Sequence, residues 1–228
     1  MTKVRLVSAY VDLGLTKRPA PDFHVLGNQL EAAAKGRSRI FRNFPFAECW
    51  LPWTFTWNAH PPANPRAEDR FVSELEHVRS NYIQHSPMQW MHTAWEEDHS
   101  SDVFVWMGYS ILKQGDFTGR RIKPWHVTAF LDHLEEWEPS GVYMPGITEK
   151  APIQPYGDNW RFCGSTIVVP APHVGPLYEA YKSTAIKFIR AYKAIPLDLA
   201  IWSMVEEQYP INWYQAEYDH TQLTNFPC

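Results

Sequence analysis

Few residues in this chain could do chemistry without help from their surroundings. Asp198 follows Pro196 beside the start of an apolar helical pattern. A carboxylate there either caps the helix or is aimed into a cleft as a general base. Asp219 and His220 follow a short strand pattern. That pair could complete a cation or diphosphate site, or form an ordinary turn. Cys163 stands beside Arg161 and before a strand. It reads first as a small buried hydrophobe, and second as a nucleophile. His85, His92, His99 and His220 fall in loops or at element ends, with none of the spacings of a zinc-binding helix. The order of residues reveals no Ser-His-Asp or Cys-His arrangement.

A second group could bind rather than react. Lys35, Arg37, Arg39 and Arg42 make the densest basic cluster, followed by an aromatic, proline-punctuated stretch with Trp50 and Trp53. Basic residues interleaved with aromatics suit a polyanion whose bases can stack. A solvated loop beside a strand has the same composition. Eleven Trp residues are a surplus, which serves ring-stacking surfaces as well as core. The net charge of −4 excludes nonspecific nucleic-acid binding by the whole molecule. Three cysteines without CxxC spacing argue against a disulfide framework or structural zinc, and fit a reducing cytoplasm. No secretory signal or membrane-length apolar run is visible.

These residues need a scaffold, and alternating strands and helices supply one. Strands are expected at Val4–Val11, Val103–Met107, Val142–Ile147 and Thr166–Pro170. Helices are expected at Asp22–Lys35, Glu68–Gln84, Met88–Glu97, Pro124–Glu136, Pro176–Lys193 and Leu197–Glu207. Gly36 stops the first and Pro124 opens the fourth. The pattern predicts a single α/β domain over residues 1–228, a mostly parallel sheet flanked by helices. Val103–Met107 is apolar throughout, as in a strand buried on both faces. Ligands bind at the carboxyl ends of such strands, so Gly108, Tyr109 and Ser110 are site candidates. No dinucleotide or phosphate-loop glycine motif is present.

Taken in order, the blocks Ser8-Ala9-Tyr10-Val11-Asp12-Leu13-Gly14, Tyr82-Ile83-Gln84-His85, Val103–Ile111, Trp160–Gly164, Val168-Val169-Pro170, Trp202-x-x-Val205-Glu206 and Trp213–Phe226 resemble GT-A nucleotide-sugar glycosyltransferases. Within these they resemble a phage group, associated with thymine/methylcytosine hydroxylases, that adds sugars to 5-hydroxymethylpyrimidines in DNA. The resemblance spans nearly the whole chain. A more distant one is to bacterial surface-polysaccharide glycosyltransferases. The closer resemblance implies a GT-A-like fold, a UDP-sugar donor with UDP-glucose the first choice, and DNA carrying a hydroxymethylated pyrimidine as acceptor. It implies that the uracil lies near Ala9 and Tyr10, and the diphosphate near Gly108, Tyr109, Ser110, Arg161, Gly164 and His220. Asp198 would be the catalytic carboxylate. Lys35, Arg37, Arg39, Arg42, Trp50 and Trp53 would hold a strand whose target base has flipped out.

The chain departs from that pattern at one chemically decisive place. Where the resemblance implies Trp-x-Asp-x-Gly with a metal-binding Asp, this chain has Trp106-Met107-Gly108-Tyr109-Ser110. Glycine offers no side-chain oxygen to a hard cation. Three alternatives follow. Arg39, Arg120, Arg121 or Lys123 could stabilise the diphosphate without metal. Asp102, Asp219 and His220 could form a rearranged metal site. Or the chain is a non-catalytic relative.

Overall fold

The computed structural model describes residues 1–11, 20–42, 83–116, 119–150, 161–192 and 197–227. Within these, six strands form one sheet: β1 (Val4–Tyr10), β2 (Ser38–Arg42), β3 (Val103–Met107), β4 (Val142–Gly146), β5 (Thr166–Pro170) and β6 (Ile211–Gln215), in the order β2-β1-β3-β5-β4-β6. β1 pairs parallel with β2 and β3, and β4 pairs parallel with β6, whereas β5 is antiparallel to both its neighbours. Five strands therefore run one way and β5 runs back. The expected mostly parallel sheet is present.

Among the described residues six helices cover the sheet: α1 (Ala20–Ala33), α2 (Pro87–Glu97), α3 (Pro124–Glu136), α4 (Ala171–Tyr192), α5 (Asp198–Val205) and α6 (Thr221–Thr224), with a 3-10 turn at Ile111–Lys113. Alternation along β3 assigns the faces. Phe104 and Trp106 join a core with Met91 of α2, Tyr181 of α4 and Trp202 of α5. Val103, Val105 and Met107 join the opposite core with Leu30 of α1, Leu131 of α3 and Leu223 of α6. Trp106 stacks on Trp90 of α2, with ring centres 5.5 Å apart. Much of the tryptophan surplus is explained by such packing. An all-apolar strand results because both of its faces are covered.

Some boundaries differ from expectation for local reasons. α1 starts at Ala20, so Asp22 lies inside its first turn rather than at a cap. It ends where Lys35 and Gly36 turn left-handed, with φ of 49° and 81°, a conformation open to glycine and costly for most residues. α4 begins at Ala171, ahead of the expected start, and carries Pro176 inside. β2 is an edge strand made from part of the basic cluster. The helix expected over Glu68–Gln84 falls mainly outside the described residues. Among the described residues no helix is long and apolar enough to cross a membrane.

Candidate active site

The carboxyl ends of β1, β3, β4 and β6 lie on one edge of the sheet, together with the amino end of the reversed β5. That reversal brings Arg161–Ser165, which precedes β5, to the end of β3. There the Gly108 N–H donates to the Ser165 carbonyl, 2.9 Å away. Gly108, Gly164 and Ser165 thus share one corner.

Asp198 enters this corner from α5. Leu197 occupies the cap position and Asp198 is the first helical residue. Its carboxyl lies against Gly164, where an added Cβ would come within 2.5 Å of Oδ2. Burial pushes the Asp198 pKa up to about 7, and backbone hydrogen bonds at Leu199 and Asp198 only partly offset this. Asp198 is the first residue of the helix and not its cap. A carboxylate poised near neutrality can take a proton from a hydroxyl.

The floor beneath it is polar but spent. Cys163 is fully buried, and burial pushes its thiol up to about 12. That makes it an inert partner of the Tyr218 hydroxyl, with which it hydrogen-bonds, and not a nucleophile. Tyr218 is raised well above the usual phenol range, mainly by burial, and also by the charges of Cys163 and Asp198. Arg161 is also committed. It pairs with Glu206 through Nη2 at 2.6 Å and Nε at 3.1 Å. Its guanidinium lies over the Trp213 ring, 4.7 Å from the centre. Arg161, expected near the diphosphate, is here paired with Glu206. Gly146 lets this happen, because any side chain there would meet the Arg161 carbonyl and the Trp213 indole.

Ala9 and Tyr10 are buried at the end of β1. The Tyr10 ring stacks on Tyr109 at 5.0 Å and meets Phe23 and His24 of α1. Gly27 of α1 makes room for the Tyr109 ring. Ser110 begins the 3-10 turn. Tyr10 and Tyr109 thus belong to a packed aromatic cluster at the carboxyl-end edge of the sheet. Behind it, Gln222 is fully buried, accepts from Ser165 Oγ at 2.7 Å and donates to Gln114 at 2.5 Å.

Asp219 and His220 sit at the same edge, each with protein partners. Asp219 accepts from the Thr221 N–H at 2.8 Å and the Thr221 hydroxyl at 2.5 Å, and faces Arg120 at 3.8 Å. The His220 backbone N–H and its Nδ1 both reach the Arg120 carbonyl at 3.1 Å. Asp102 lies at the opposite end of β3 and accepts from the Lys3 N–H at 2.8 Å. It cannot join Asp219 in one site. No group of three or more His, Cys, Asp or Glu among the described residues could hold a metal ion. With glycine at position 108, the described donors do not fit a divalent metal.

The basic cluster is paired throughout. Lys35 and Arg37 meet Asp132, Arg37 also meets Glu135, Arg39 forks onto Glu97, and Arg42 meets Glu31. Opposite charges close enough to bond cancel the local field that a polyanion would need. Trp50 and Trp53 lie outside the described residues. Four residues at this edge were not singled out as site candidates from the sequence: Tyr218, Gln222, Glu206 and His126. Only His126 carried a local signal, standing two residues after the proline that opens a helix.

Comparison with family models and with curated proteins finds no match to this chain. Solved structures do match. One is a glycosyltransferase involved in the glycosylation of the major capsid of PBCV-1, with a TM-score of 0.52 over 94% of this chain and 81% of that one, at 9% identity. This chain has a glycosyltransferase-type fold. At such low identity the likeness concerns the path of the backbone and no individual side chain.

Proposed function

We propose that this protein is a glycosyltransferase that moves a sugar from a nucleotide-sugar donor, of the UDP-sugar class, to an acceptor hydroxyl. One observation carries the reading. A carboxyl raised to about 7 opens a helix at the ligand-binding edge of a glycosyltransferase-type fold. In this reading Asp198 accepts the acceptor hydroxyl proton as the oxygen bonds to the anomeric carbon. The bond from that carbon to the donor diphosphate breaks, and the diphosphate leaves with its electron pair.

The acceptor is a saccharide hydroxyl in preference to DNA. The resemblance implied a 5-hydroxymethylpyrimidine acceptor with the Lys35–Arg42 cluster holding the strand, and those side chains are paired with carboxylates. The test is incubation with a panel of UDP-sugars against saccharide acceptors and hydroxymethylated DNA, with and without EDTA, followed by mass spectrometry. A hexose increment on a saccharide is expected. An increment on DNA alone would restore the nucleic-acid acceptor. No increment on any acceptor, with no thermal shift on adding UDP, would identify a non-catalytic relative.

A further inference from the structure

Gln222 is fully buried although α6 is a single short turn of helix. A buried amide costs free energy unless its donor and acceptor groups are met. Here three other parts of the chain meet them. Its Oε1 accepts from the Ser165 hydroxyl at 2.7 Å and from the Thr166 hydroxyl at 3.3 Å. Its Nε2 donates to Gln114 Oε1 at 2.5 Å. Its backbone carbonyl accepts from the Tyr214 hydroxyl of β6 at 2.6 Å. An amide holds an acceptor and a donor in one rigid plane. That suits a side chain set between hydroxyls on one side and a carbonyl on the other.

The partners of the side chain lead to the two halves of the candidate site. Ser165 follows Gly164, against which the Asp198 carboxyl lies. The Ser165 carbonyl also receives the Gly108 N–H at 2.9 Å. Gln114 caps the end of the 3-10 turn that follows Ser110. Its own carbonyl accepts from the Ile122 N–H at 3.0 Å. The next residue, Gly115, is left-handed with φ of 83°, and an added Cβ there would come within 2.3 Å of the Arg120 carbonyl. The chain is thus closely packed just beyond Gln114. Beyond the pairing of β3 with β5, the Gly108–Ser110 turn and the Gly164–Asp198 contact are joined through the Gly108–Ser165 backbone bond and through the Gln222 side chain.

We propose that Gln222 is a positioning residue that fixes the separation between the Gly108–Ser110 turn and the Gly164–Asp198 contact. The tie itself rests on these hydrogen bonds. Its service to sugar transfer rests on the glycosyl-transfer reading, in which the donor and the acceptor oxygen meet between those two groups. Gln222 has no exposed surface with which to touch a substrate, so it acts through Ser165 and Gln114.

The test uses the full chain and the variant Gln222→Met, which keeps the volume and removes both polar functions. With a UDP-sugar and a saccharide acceptor, kcat should fall about 10- to 100-fold while KM for the donor stays within about 3-fold. Adding Gln222→Met to Gln114→Met should lower kcat little further, because the two act as one unit. Thr184→Val, which removes a buried hydroxyl bonded to the Ala180 carbonyl inside α4, should cost stability without lowering kcat. Amide hydrogen exchange reads the tie without any substrate. Protection of the Gly108 N–H should drop about 10-fold more in Gln222→Met than that of the Leu6 N–H in the core strand β1, whereas a purely structural role would lower both alike. Ser165→Ala, at a half-buried position, should shift kcat and Gly108 exchange the same way by a smaller factor, and it keeps the test decisive if Gln222→Met folds poorly. Unchanged kcat, or kcat and all protection falling in step with the melting temperature, overturns the proposal. If the wild type transfers no sugar, the glycosyl-transfer reading fails and exchange alone decides: selective loss at Gly108 keeps the tie, and uniform loss overturns it.

Discussion

Gly164 and Asp198 meet so closely that a single methyl group on the glycine would stand 2.5 Å from the carboxylate Oδ2. The neighbour that would have to yield is the first residue of a helix, so movement of the carboxyl is the cheaper response. Gly164→Ala is expected to lower transfer activity about 10- to 100-fold, because an angstrom of misplacement at a reacting group costs that much. The melting temperature should fall by only a few degrees, corresponding to about 1 kcal/mol. A parallel series of turnover and thermal melts checks this. Unchanged turnover would show that Asp198 is not at the reacting centre.

Asp198→Asn removes the proposed base and a charge that its surroundings desolvate. Activity should fall about 100-fold or more. Stability should move in the opposite direction, with a sign set by linkage. The folded-state pKa is about 7, above the unfolded value of about 4. The folded protein therefore holds an extra proton between those pH values, and the wild type loses stability as pH rises through that window. At pH 8 the Asn variant should be more stable by on the order of 1–3 kcal/mol. At pH 4 the difference should be small. Denaturant midpoints at the two pH values decide the matter.

The same group shapes the pH profile of activity. A base must be ionised, so kcat/KM should rise with pH and level off above an apparent pKa near 7. A profile flat from pH 5 to pH 8 would remove Asp198 from the chemistry.

The Arg161–Glu206 pair is enclosed, with side chains 11% and 10% exposed. Removing one partner strands the other charge. Glu206→Ala is expected to cost about 3 kcal/mol or more. Replacing the exposed Arg39 by Ala, which breaks its pair with Glu97, should cost less than about 1 kcal/mol and leave transfer unchanged. Equal costs in urea melts would contradict this division between structural and surface pairs.

EDTA should leave transfer activity within about 2-fold of the untreated protein. The described donors offer no hard-cation site, and Gly108 has no oxygen to contribute from a side chain. Abolition by EDTA with rescue by Mn²⁺ would place the metal ligands outside the described residues.

Much of the scaffold is legible in local pattern. β3 and β5 coincide with their expected ranges, and so does α3. Runs buried on both faces and a helix opened by Pro124 carry their signal within a few residues. β2 is harder to read, because an edge strand exposed on one side mixes Arg39 and Arg42 with Phe41 and so resembles a loop. The start of α4 is hidden for another reason. Pro176 is the sixth residue of α4 and sits inside it at the loss of one backbone hydrogen bond, so it does not mark the boundary.

The site is legible only as a set of residue types. Asp198 is recognisable as a carboxylate near a helix start, and Gly108 as a glycine where the resemblance implies an aspartate. Sequence alone determined those identities, the strand and helix periods, and hence the layered α/β class, since these depend on neighbours in the chain. Tertiary structure decided the rest. It turned β5 around and so set Gly164 against Asp198. It gave Arg161 to Glu206 and the basic cluster to carboxylates, and it stacked His126 on His220. Charge pairing, desolvation and ring contact act through space between residues tens of positions apart, and no local pattern along the chain records them.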